Sequence, residues 1–221
     1  MKTNKTKAVI FDLDGTLLDT LCDLCDSTND ALDAIGAPHR TIDEVRRFVG
    51  NGIRMLMVRA VPGGDENPLF DTAMNAFVAS YKKNCANKTK PYDGIPELLL
   101  RLSSDGYSLA VVSNKADFAV KTLVRDYFGD VIRVAIGEKE SEGVKKKPAP
   151  DTVIAALREL GCKKENAVYV GDSEVDIMTA KNAGMRCISV DWGFRGRDVL
   201  TAAGATEIVS TPEALIDAIE K

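Results

Sequence analysis

Short apolar, β-branched runs recur along this chain, and from residue 95 onward helical patterns lie among them. The runs are Ala8–Leu13, Leu109–Val112, Val131–Ile136, Ala167–Val170, Cys187–Val190 and Glu207–Val209. Strands that stay apolar throughout, instead of alternating, belong in a parallel sheet covered on both faces. The intervening patterns are Ile95–Asp105, with Leu98, Leu99 and Leu102 on one face, then Phe118–Tyr127, Thr152–Leu160, Val175–Ala183 and Pro212–Ile219. Gly161 and Gly184 follow two of them as stops, and Thr211 before Pro212 is a start. Such alternation predicts an α/β fold, a doubly wound parallel sheet of the Rossmann-like kind.

One stretch interrupts it. From about Asp19 to about Lys88 the patterns are all helical: Asp19–Ile35 closed by Gly36, a helix capped by Thr41 with Glu44 completing a capping box, Gly52–Val61, and Leu69–Cys85. A helical bundle inserted after the first strand follows. The expected division is an α/β core of residues 1–17 and 90–221 carrying an all-helical cap domain of residues 18–89.

Composition excludes several functions. Net charge is −4 over 221 residues, which gives no basic footprint for nucleic acid. No apolar stretch reaches the roughly 18 residues of a membrane span. The start, MKTNKTKAVIFDLDG, lacks the long apolar segment and small-residue site of a signal peptide, so a cytoplasmic location is expected. Cys22 and Cys25 form a C-x-x-C spacing inside a helical pattern. They read, with Cys85, Cys162 and Cys187, as reduced thiols. The single histidine, His39, sits in a polar turn, which removes Ser-His-Asp and Cys-His mechanisms. There is no phosphate-binding G-x-x-x-x-G-K run. Carboxylates, lysines and hydroxyls are left to do chemistry.

Ligands of parallel α/β sheets bind at the carboxyl ends of the strands. The polar residues placed there are Asp12 and Asp14, Ser113 and Asn114, and Asp172, with Lys147 in a loop before a helix. Asp12 and Asp14 are separated by one residue, and Asp172 and Asp176 are expected to join them. Carboxylates buried together drive one another's pKa upward unless a cation intervenes. Magnesium, which takes a few carboxylates plus phosphate oxygens and water, suits such a cluster. A carboxylate can attack phosphorus, a second can move the proton of the leaving oxygen, and Ser113 and Lys147 can hold the non-bridging oxygens. Gly15 and Thr16 fit a tight turn with N–H groups toward the phosphoryl group.

These segments resemble the haloacid dehalogenase-like hydrolases. FDLDGTLLDT is similar to that family's first motif, VVSNK to the second, KKKPAPD to the third and VGDSEVDI to the fourth, in the family's order. The resemblance implies Asp12 as nucleophile and metal ligand, and Asp14 as general acid/base with its carbonyl on the metal. It also implies Asp172 as a ligand and Asp176 as a ligand or an anchor behind one. The carboxylate of Asp14 argues against the dehalogenase and phosphonate-cleaving branches. The cap run FVGNGIRMLM resembles phosphoglycolate phosphatases. Asn51, in a Gly-Asn-Gly turn, and Arg54, a fork donor for a carboxylate, are the cap's candidate substrate contacts; each also reads as an ordinary turn or helix residue. The expected activity is Mg²⁺-dependent hydrolysis of a small phosphorylated metabolite, foremost 2-phosphoglycolate, by a monomer or homodimer. A pyrophosphatase, a sugar phosphomutase and a non-catalytic binding protein are the rivals.

Overall fold

The computed structural model describes residues 7–221. Residues 1–6, assigned above to the core, lie outside the described residues. The chain separates into two compact units, one running to Leu18 and resuming at Pro91–Lys221, the other Asp19–Lys90. A two-stranded ribbon of β2 (Leu18–Asp19) and β3 (Lys90–Pro91) marks where the chain leaves the first unit and returns.

The first unit is built on a six-stranded sheet. Its strands are β1 (Ala8–Phe11), β4 (Ser108–Ala116), β5 (Val134–Glu138), β6 (Ala167–Gly171), β7 (Arg186–Val190) and β8 (Ile208–Val209), in the order β5-β4-β1-β6-β7-β8. All of its pairings are parallel. Alternate residues of each strand face opposite ways. On one side Val9, Phe11, Leu109, Val111, Val168 and Val170 pack under α5 (Ile95–Ser104), α6 (Asp117–Phe128) and α10 (Pro212–Glu220). On the other, Ala8, Ile10, Ala110, Val112 and Tyr169 pack against α7 (Asp151–Leu160) and α8 (Glu174–Ala183). Helices on both faces explain why the strand sequences are apolar throughout.

The second unit holds α1 (Leu21–Asp33), α2 (Ile42–Phe48), α3 (Ile53–Ala60) and α4 (Phe70–Asn84). Its α2 begins with the expected capping box: Thr41 Oγ1 accepts the Glu44 N–H at 3.3 Å, and Glu44 Oε2 accepts the Thr41 N–H at 2.8 Å. Buried Asp23 accepts from the N–H groups of Lys88 and Thr89, so the unit's last residues are tied to its first helix.

Several elements differ from the sequence reading. The first strand ends at Phe11, because the Leu13 carbonyl turns back to accept the N–H groups of Leu17 and Leu18, each at 3.0 Å. The strand expected over Val131–Ile136 is displaced to Val134–Glu138, since Gly129–Val131 forms a 3-10 turn. A short helix, α9 (Arg197–Ala202), was not anticipated; it buries only Leu200 and so shows no apolar face in sequence. All five cysteines are free. Among the described residues no helix is long and apolar enough to cross a membrane.

Candidate active site

The central strand sets the position of the first two aspartates. Pairing of Phe11 with Val111 on one side and Val170 on the other brings Asp12 and Asp172, just past the ends of β1 and β6, to one sheet edge with Ser113, two residues beyond Val111 within β4. The Asp12 N–H continues the ladder to the Val170 carbonyl at 2.9 Å. The turn after it needs Gly15, whose φ is +86°, a conformation that costs a side-chain-bearing residue strain. Space demands glycine too, because a Cβ there would collide with the Asp172 carboxylate.

Carboxylate oxygens of Asp12, Asp172 and Asp176 lie within 4.8 Å of one another, and all three residues are buried. Lys147 is driven into this group. Its Nζ is 2.8 Å from Asp176 Oδ1, 3.1 Å from the Tyr169 hydroxyl and 2.8 Å from Asp12 Oδ1. The Asp12 contact is an ion pair. Asp176 is saturated. Its Oδ1 accepts from Lys147 and Tyr169, and its Oδ2 accepts the Ser173 N–H at 3.1 Å and the Ser173 hydroxyl at 2.5 Å. Those four contacts fill the lone-pair sites of a carboxylate. Asp176 also closes the capping box that starts α8.

Charge balance within the cluster is incomplete. Burial raises the Asp12 carboxyl to about 7; Lys147 pulls it down, and Asp176 and Asp14 push it up. Asp172 is raised well above the carboxylate range by burial and then by Asp176 and Asp12, against the opposing hydrogen bonds from Phe194 and Thr16. Burial works to lower the Lys147 ammonium, but Asp12 and Asp176 outweigh it and hold the charge on. One lysine among three carboxylates leaves an excess of negative charge that a divalent cation would offset, and carboxylate oxygens are the donors magnesium takes.

The remaining expected residues of the first unit fall around this centre. Asp14 is paired with buried Lys115 at 2.7 Å. Thr16 Oγ1 donates to Asp172 Oδ1 at 3.2 Å. Ser113 is buried where the register shift of β4 begins, and its Oγ accepts the Lys115 N–H at 3.3 Å. Asn114 clamps the lysine loop: its Nδ2 donates to the Lys147 carbonyl at 3.0 Å and its Oδ1 accepts the Lys147 N–H at 2.8 Å. Asn51 and Arg54 belong to the helical unit and have partners there. Asn51 Oδ1 accepts from Arg59, which also donates to the Phe48 carbonyl. Arg54 pairs with Asp65 at 3.2 Å and lies over the Phe70 ring. Sequence reasoning missed Tyr169, Ser173 and the Trp192–Phe194 loop. Tyr169 reads as core, and the loop acts largely through backbone.

Comparison with known proteins agrees with this architecture. The model of the haloacid dehalogenase-like hydrolase family matches residues 9–190. An N-acetylmuramic acid 6-phosphate phosphatase of Pseudomonas aeruginosa is 32% identical over 100% of this chain and 98% of its own. A phosphoglycolate phosphatase of Mesorhizobium japonicum is 35% identical, over 86% of this chain and 85% of its own. The crystal structure of a predicted phosphoglycolate phosphatase from Lactobacillus delbrueckii subsp. bulgaricus superposes with a TM-score of 0.92 at 37% identity, covering 98% of this chain and 99% of that one. A match across most of the chain, with relatives above 30% identity that are phosphatases by name, places the protein in the haloacid dehalogenase-like hydrolase family, as a phosphatase.

Proposed function

We propose that the protein hydrolyses small phosphate monoesters through an aspartyl-phosphate on Asp12, with Mg²⁺ held by Asp12, Asp172 and the Asp14 carbonyl. The supporting observation is the buried Asp12–Asp172–Asp176 cluster at the carboxyl ends of β1 and β6 with Lys147 against it. Asp176 has its oxygens filled and serves as the anchor of Lys147, leaving Asp12 and Asp172 as the side-chain ligands. Bound Mg²⁺ would supply charge neutralisation for the phosphoryl oxygens and for the carboxylates themselves.

The protein groups divide the rest. A carboxylate oxygen of Asp12 attacks phosphorus in line with the ester oxygen, and that P–O bond breaks as Asp14 gives its proton to the leaving alcohol. Asp14, now a base, takes a proton from water. The water oxygen bonds to phosphorus, and the bond from phosphorus to Asp12 breaks to release phosphate. Lys147 and Ser113 hold the non-bridging oxygens, and the N–H groups around Gly15 and Thr16 line the turn. Asn114 keeps Lys147 at its station through two backbone contacts.

The substrate is 2-phosphoglycolate on this reading, supported by the relatives that carry that name. N-acetylmuramic acid 6-phosphate is the second reading, favoured by the relative that aligns along this whole chain. Asn51 and Arg54 contribute to the choice between leaving groups. The test is phosphate release from a generic aryl phosphate with and without EDTA, followed by both named esters and inorganic pyrophosphate. Full activity in EDTA sinks the metal assignment. A pyrophosphate rate above every ester sinks the monoester assignment, and transfer to a sugar instead of water would identify a mutase.

A further inference from the structure

Asp172 is gripped by parts of the chain that belong neither to its strand nor to the helix that follows it. Thr16 Oγ1 donates to Oδ1 at 3.2 Å from the turn after β1. The Phe194 N–H donates to Oδ2 at 2.8 Å from the loop after β7. The same loop holds the other grip in place, since Trp192 Nε1–H donates to the Thr16 carbonyl at 3.1 Å. Between these two donors stands Gly193. A Cβ there would run into the Gly15 carbonyl and the Asp172 side chain, so the loop backbone lies flush on the turn and on the carboxylate.

The loop is itself moored. The Asp191 N–H donates to the Val209 carbonyl at 3.1 Å, and Asp191 Oδ2 accepts from Arg197 at 2.8 Å and Ser210 at 2.9 Å. Arg195 Nε reaches Glu174 Oε2 at 3.3 Å, in the first turn of α8. Each contact carries the position of β7, β8 or α8 into the place where Asp172 presents its oxygens.

We propose that the Trp192–Phe194 loop is the positioning element for Asp172, and that the Trp192 indole, through Thr16, sets how tightly the site takes a divalent cation. The inference rests on the role proposed above for Asp172 in holding the metal. Groups that orient a metal-binding carboxylate typically change affinity by about 10- to 100-fold when lost. An indole N–H is a donor only, so phenylalanine keeps an aromatic ring and deletes the one bond to Thr16. Trp192 is also the only tryptophan in the chain, which makes it a reporter of its own surroundings.

The experiment needs no substrate. Mn²⁺ binding is titrated by the loss of the free-ion EPR signal in wild type, Trp192→Phe and Asp172→Asn, with folding checked by circular dichroism. In parallel, Mg²⁺ is titrated against Trp192 fluorescence in wild type and Asp172→Asn. Expected are roughly tenfold weaker Mn²⁺ binding in Trp192→Phe and a saturable fluorescence change that Asp172→Asn abolishes. Wild-type affinity in a folded Trp192→Phe, or a tryptophan signal indifferent to Mg²⁺ while Mn²⁺ binds, overturns the inference. If Trp192→Phe does not fold, the fluorescence titration decides. A wild type that binds no Mn²⁺ at all would instead refute the metal role of Asp172.

Discussion

Lys147 carries the electrostatic frame of the site, and its removal should be felt in stability as well as in rate. Its ammonium is 2.8 Å from both Asp12 and Asp176, and all three are buried. Breaking a buried pair by deleting one partner costs about 3–5 kcal/mol, because the other charge is stranded. Lys147→Met should lose about that much in urea unfolding in EDTA; a loss under 1 kcal/mol would mean the carboxylates carry no net charge there. Asp12→Asn should remove at least about 10⁴-fold of turnover, the scale of losing a nucleophile. Aryl phosphate hydrolysis checks it, and wild-type rate would misassign the nucleophile. The raised Asp12 and Asp172 carboxyls also predict a pH dependence. In the metal-free folded state they keep protons that the unfolded chain has released. The Asp12 contribution is therefore present below pH about 4, the unfolded value, and is lost as pH rises through about 7, and the raised Asp172 carboxyl acts in the same direction. Thermal melts in EDTA should fall over that window, and Mg²⁺ should lessen the fall. A melting temperature that rises across the same window in EDTA would contradict the assignment.

At the scale of elements, the start of α8 joins local structure to the site. Ser173 is both the helix cap and a partner of Asp176, through its N–H and its hydroxyl. Ser173→Ala should cost about 1 kcal/mol, the usual value of a lost cap, and should lower turnover by letting Asp176 and Lys147 drift. An unchanged rate at reduced stability would show the cap to be structural only. Much of this was legible beforehand. Strands buried on both faces must be apolar, so their ends, and the aspartates beyond them, stand out in the sequence. The Asp172–Asp176 spacing carries the fourth-motif resemblance. What stayed hidden acts through backbone or mimics core. The Phe194 N–H has no side-chain signature, Tyr169 looks like any buried aromatic, and α9 lacks an apolar face. Lys115 was visible as a charge, but its pairing with Asp14 depends on a register shift in β4 that no local pattern encodes.

At the scale of the whole molecule, the family and the reaction class are set by the match over residues 9–190 and by the named relatives, whereas the substrate is a matter of leaving-group selection. The expected ranking by kcat/KM is 2-phosphoglycolate first, and N-acetylmuramic acid 6-phosphate ahead of it would reverse that part of the proposal. The strand order has a further consequence, for synthesis. Ala8 begins the strand that precedes Asp12, yet its sheet partners are Ser108 and Ala167. No hairpin or local crossover can form either pairing of β1, and such distant contacts are slow to find. At about 5–20 residues per second on the ribosome, the first strand emerges and then waits roughly 10–30 s for the second of its neighbours. Until β4 emerges AVIF is an apolar segment with two unpaired edges, and until β6 emerges it keeps one. A nascent chain stopped short of β6 is thus an aggregation hazard as well as an inactive one, and Asp12, the proposed nucleophile, though among the first residues made, is among the last to become competent.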